Sequence, residues 1–82
     1  MRIEMKYIGV PLAGMTNTKR TVILTEGSNV DALIQSLIDD SPGTSRENFK
    51  SVTCMVNRQN AGTGTVLHDG DEVFLLGILG GG

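Results

Sequence analysis

Apolar and polar residues alternate from the start of the chain. Ile3, Met5 and Tyr7 fall on one side, and Glu4, Lys6 and Ile8 on the other. This period of two predicts a strand over Arg2–Gly9. Pro11, Gly14, Thr16 and Asn17 mark a loop, from which Leu12 and Met15 can tuck back onto a core. Alternation resumes over Lys19–Thr25, with Val22 and Leu24 against Thr21 and Ile23, and predicts a second strand in an antiparallel hairpin. Glu26-Gly27-Ser28-Asn29 then breaks the pattern. Ser28 or Asn29 suits a helix N-cap, and Asp31 stands where a capping box from Ser28 would place its acid. Val30, Leu33, Ile34, Leu37 and Ile38 recur at i, i+3, i+4, i+7 and i+8, the clearest periodicity in the chain. They predict an amphipathic helix with one buried stripe, closed by Pro42-Gly43.

The second half is less regular. Thr44–Lys50 is polar and predicts loop or one short turn, with Phe49 as its anchor. Val52–Asn57 reads as a third strand, with Val52, Cys54 and Val56 on one face. Asn60-Ala61-Gly62-Thr63-Gly64 reads as a flexible loop, and Thr65-Val66-Leu67 as a short extended piece. Asp69-Gly70-Asp71 is a turn signal: Gly70 supplies a positive φ, and the Asp side chains can accept from nearby backbone N–H groups. It launches the apolar run Val73–Leu76, a buried strand. The order strand, strand, helix, strand, short strand, strand is that of an α+β layer fold. It matches the ubiquitin-like β-grasp: a mixed sheet of four to five strands with one main helix packed on one face, the first and last strands central.

Composition narrows the functional classes. Eighty-two residues make one domain, residues 1–79, followed by a glycine tail, 80–82. A chain this short buries only about 60% of its unfolded surface, which leaves no room for a deep enclosed active site. Formal charge is −2 and the basic residues are dispersed, arguing against nucleic acid or an anionic membrane as partner. The single cysteine, Cys54, excludes an internal disulfide framework and reads as a small buried hydrophobe. No leader-like start and no long apolar run is present, so a cytoplasmic location is expected. His68 reads as a surface turn residue. Asp69, Asp71 and Glu72 lack the ligand number and spacing of a calcium loop. No metal site and no bound cofactor is expected, nor is any catalytic set.

Three features together resemble the MoaD/ThiS-type ubiquitin-like sulfur-carrier family. They are the strand end Met55-Val56-Asn57, the segment Leu67-His68-Asp69-Gly70-Asp71-Glu72-Val73, and the ending Gly81-Gly82. The loops at Pro11–Thr18 and Ser41–Lys50 resemble the molybdopterin synthase small subunit more than the shorter thiamin-type carrier. One departure concerns the tail. The molybdopterin-type carrier typically has a proline pair before its spacer and diglycine, whereas this chain has Gly77-Ile78-Leu79-Gly80. Prolines would stiffen the tail; Gly77 would loosen it.

The resemblance implies that an ATP-dependent adenylating enzyme of the ubiquitin-activating type activates the Gly82 carboxylate. A sulfur donor then converts it to a thiocarboxylate, the ATP being used by the partner. The sulfur acceptor would be the molybdopterin synthase large subunit or, for a thiamin-type carrier, thiazole synthase. Gly82 has no β-carbon to obstruct a nucleophile, and Gly80 and Gly81 carry nothing to block a narrow tunnel. Leu79 to Gly82, extended, spans roughly 13–14 Å. If Val73 and Leu75 face the helix, Phe74 and Leu76 point away from it and offer a partner surface. Ile78 and Leu79, past the sheet, would enter a partner pocket. Two rivals remain at this point: a ubiquitin-like modifier whose activated Gly82 joins a lysine, and a non-covalent module that uses only the Phe74–Leu76 surface.

Overall fold

The computed structural model describes residues 1–12 and 14–77. Its elements are β1 (Arg2–Gly9), β2 (Thr18–Ile23), α1 (Val30–Asp39), a 3-10 turn (Arg46–Phe49), β3 (Val52–Val56), β4 (Gln59–Ala61) and β5 (Glu72–Gly77). The five strands form one sheet in the order β2-β1-β5-β3-β4. β1 and β5 are parallel neighbours at its centre, and the other pairings are antiparallel. This is the ubiquitin-like β-grasp.

Helix and sheet meet through the stripes that the alternation foretold. Ile3, Met5 and Tyr7 of β1 and Val73 and Leu75 of β5 are essentially inaccessible, as are Val30, Leu33 and Leu37 of α1. Met15 and Leu67 fold in from loops and are equally buried, while Leu12 bridges Met15 and packs at the core's edge. Asn29 is the N-cap: its Oδ1 accepts the Ala32 N–H at 2.9 Å. Asp31 does not close a capping box. It accepts both Nη groups of Arg46, at 2.5 and 3.0 Å, and so ties the 3-10 turn to the helix, where Phe49 is buried.

The short fourth strand lies elsewhere than the residue pattern suggested. Residues 60–61, expected in a loop, pair with β3, and Asn60 sits opposite Met55. Asn57 and Arg58 both adopt left-handed backbone, at φ 49° and 68°. Two consecutive left-handed residues are what a tight two-residue hairpin turn needs, and they usually announce themselves as Asn-Gly. Here the second position is arginine, so the sequence signal is hidden. Thr65–Leu67, expected to supply the short strand, contributes only an isolated bridge between Val66 and Asn29.

Candidate functional site: the last strand and its exit

The start of β5 is held by its own turn. Gly70, at φ 86°, gives its N–H to the Arg2 carbonyl at 2.8 Å. Asp69 Oδ1 accepts the Arg2 N–H at 2.7 Å. One Asp71 oxygen accepts the His68 N–H at 2.8 Å, and the other accepts Asn57 Nδ2 at 2.9 Å. Asn57 completes the clamp from its left-handed position: its Oδ1 accepts the Glu72 N–H at 3.0 Å, and its own N–H reaches the Glu72 carbonyl at 2.8 Å. The Asp-Gly-Asp segment therefore acts structurally, fixing where β5 enters the sheet. Among the described residues no group of three or more His, Cys, Asp or Glu side chains is arranged to hold a metal ion.

With the entry fixed, alternation sorts the side chains of β5. Val73 and Leu75 are fully buried beneath α1. Phe74 and Leu76 fall on the opposite, open face and are half-buried. Register places Phe74 between Lys6 of β1 and Met55 of β3, and Leu76 between Ile8 and Thr53. Ile8 is 39% exposed, so Phe74, Leu76, Ile8 and Met55 make a small apolar strip that no helix covers.

The exit of β5 corrects one expectation. Gly77 does not loosen the chain; it is the last of the described residues in this strand and is still paired, opposite Gly9 on one side and Val52 on the other. The Val10 N–H donates to its carbonyl at 3.0 Å. A β-carbon on Gly77 would run into the Tyr7 hydroxyl, and one on Gly9 would run into the Gly77 carbonyl. Gly9 also has φ 122°, a backbone that other residues rarely adopt. The Tyr7 hydroxyl, buried beside the exit, donates to the Val10 carbonyl. The two glycines let β1 and β5 close together at this end, so β5 is held in the sheet through Gly77. Residue pattern alone showed Gly9 only as the end of a strand, since its partner lies at the far end of the chain.

Ile78, Leu79, Gly80, Gly81 and Gly82 lie outside the described residues. Cys54 is 8% exposed, and burial pushes its thiol up to about 11, which leaves little thiolate at neutral pH. It lines a cleft of about 530 Å³ near α1 and the 3-10 turn, together with Phe49, Val52 and the Arg46–Asp31 pair. Among the described residues no helix is long and apolar enough to cross a membrane.

Known structures of the same shape include small archaeal modifier protein 1 (SAMP1) from Haloferax volcanii, with a TM-score of 0.76, 19% identity and full coverage of both chains. A Pyrococcus furiosus protein described as molybdopterin converting factor, subunit 1, has a TM-score of 0.71 and 22% identity over 95% of this chain and 98% of its own. Urm1 from Trypanosoma brucei has a TM-score of 0.67 and 23% identity over 99% of this chain and 95% of its own. At these identities the likeness shows the fold alone. No curated protein matches the chain. The ThiS family model, by contrast, matches residues 10–82, from the close of β1 through the turn, the last strand and the terminal glycines, and the chain belongs to the ThiS family.

Proposed function

We propose that this protein is a sulfur carrier whose working group is the carboxylate of Gly82, activated and loaded by partner enzymes. Membership of the ThiS family, with the match running through Gly82, is the observation that carries this reading. In the first step a carboxylate oxygen attacks the α-phosphorus of ATP on the adenylating enzyme, forming the acyl adenylate and releasing pyrophosphate. A sulfide-level nucleophile from a sulfur donor then attacks the acyl carbon, AMP leaves, and the thiocarboxylate remains. Gly80 and Gly81 pass through the partner's tunnel, Ile78 and Leu79 seat in its mouth, and Phe74 and Leu76 form the docking strip behind them. The chain supplies a deliverable end group, and the partners supply the catalytic side chains.

The pairing of Gly77 on both sides supports this division of labour, because a tail that follows a strand held in the sheet costs less ordering entropy to deliver than one that follows a loose strand. Molybdopterin-type sulfur transfer, through the large subunit of molybdopterin synthase, is the favoured destination. The likeness to the Pyrococcus furiosus converting-factor subunit supports it, and thiamin-type transfer to thiazole synthase stands second. Likeness to the archaeal modifier and to Urm1 favours a second reading, in which the same acyl adenylate is attacked by a lysine amine to give an isopeptide. Deletion of Gly82 tests the common core of both. Loading with sulfur by an adenylating enzyme, ATP and a sulfur donor should be abolished while the melting curve stays within a degree or so, since Gly82 lies beyond β5. Loading that survives the deletion contradicts the proposal.

A further inference from the structure

The open face of the sheet carries a pairing that does nothing for the fold. Lys6 of β1 and Lys19 of β2 stand directly opposite each other, both exposed. Like charges so placed oppose folding. In the neighbouring row Glu4 lies between Thr21, whose hydroxyl donates to its two carboxylate oxygens at 3.1 and 3.2 Å, and Glu72 of β5. The other carboxylate of this face, Glu72, is 3.7 Å from Arg58. Among the described residues neither Lys6 nor Lys19 has a carboxylate within ion-pair distance. The chain as a whole is acidic, so this local positive charge runs against the net charge of −2.

Phe74 stands beside the pair. It is register partner to Lys6, and a shallow depression of about 190 Å³ is lined by Lys6, Lys19, Arg58 and Phe74 together with Glu4 and Glu72, which leaves one positive charge in excess. Arg58 is taken up by Glu72, so the excess charge beside the aromatic ring is that of Lys6 and Lys19, and it matches a partner surface that offers an apolar contact with a carboxylate at its edge. Phe74 precedes Gly77 by three strand positions, so the cations sit about 10 Å behind Gly77 along the strand that leads to the tail. A partner that takes in the tail would meet them on the same approach. We propose that Lys6 and Lys19 recognise a carboxylate-bearing surface of the adenylating enzyme, set about 10 Å back from the mouth that accepts the tail. This rests on the docking reading of the Phe74–Leu76 strip and adds the charge of the partner to it.

The test is ATP–pyrophosphate exchange by the purified ubiquitin-activating-type enzyme of the same organism, with the full chain as substrate, across a range of salt concentrations. Three proteins are compared: wild type, Lys6→Glu/Lys19→Glu, and Phe74→Ala. Because Glu4 and Glu72 adjoin the pair, the double reversal extends a carboxylate row and is used with a matching melting curve; Lys6→Gln/Lys19→Gln, which removes the charge without adding carboxylates, serves the same purpose if the curve does not match. The double variant should lose about tenfold in kcat/KM at low salt, through KM, with the gap closing as salt screens the wild type. Phe74→Ala should be impaired equally at all salt concentrations. If the lysine variants match wild type throughout while Phe74→Ala is impaired, the docking strip stands and the charge inference fails. If Phe74→Ala also matches wild type, the docking reading fails and takes the inference with it.

Discussion

The two faces of the sheet obey different rules. Toward α1, Ile3, Met5, Tyr7, Val73 and Leu75 are at most 1% exposed, and among the described residues no buried polar side-chain atom lacks a partner. Toward solvent, the same two central strands present Ile8, Phe74 and Leu76 only partly covered, and Lys6 faces Lys19. One face is what packing and hydrogen bonding would select for stability. The other keeps apolar area and like charge together, which stability alone would remove. A strand shared by both faces thus divides its residues by parity, odd positions buried in the core and even ones left on the open face, where the proposed docking strip lies.

The largest effect should come from breaking the covered face. Leu75→Ala, which deletes a fully buried side chain in the central strand, should cost about 2–5 kcal/mol in a urea titration. Phe74→Ala, one position away, should cost well under half as much. Equal losses would show that the open face is as much a part of the core as the covered one.

That parity was readable in the sequence because it is local. Alternation in β1 and the helical stripe from Val30 to Ile38 need only neighbouring residues, and the central place of Val73–Leu76 follows from a strand apolar on both faces. The features that were not readable are those set by partners distant in the chain. β4 stayed hidden because Arg58 occupies a left-handed turn position where glycine is the usual sign. Gly77 read as a loose joint because nothing near it in sequence reveals that Gly9 and Tyr7 press against it. The Lys6–Lys19 conflict appears only when the register of β1 on β2 is known. For the candidate site, the outward direction of Phe74 and Leu76 was legible, and the close pairing of Gly77 with Gly9 was not.

An intermediate effect is expected at Gly77. Gly77→Ala would drive a methyl group into the Tyr7 hydroxyl and should destabilise by about 1–3 kcal/mol. Tyr7→Phe in the same chain removes the hydroxyl oxygen and should recover part of the loss, as a double-mutant cycle would measure. Additive losses would mean that the two groups do not press on one another.

The smallest effect is the most telling about the open face, because its sign is unusual. Lys19→Glu converts a like-charge pair into an attractive one opposite Lys6 and should raise stability by about 0.2–1 kcal/mol. The same change should weaken engagement of the adenylating enzyme. A variant that is less stable, or that binds the enzyme better, would remove the contrast between the two faces.

The central claim is that Gly82 carries sulfur, and intact mass tests it most directly. The untagged protein would be weighed after incubation with the adenylating enzyme, ATP and a sulfur donor, and its C-terminal peptide fragmented. The account predicts a shift equal to the replacement of one oxygen by sulfur, confined to that peptide. An unshifted mass, with pyrophosphate released by the same enzyme in the same tube, would contradict it.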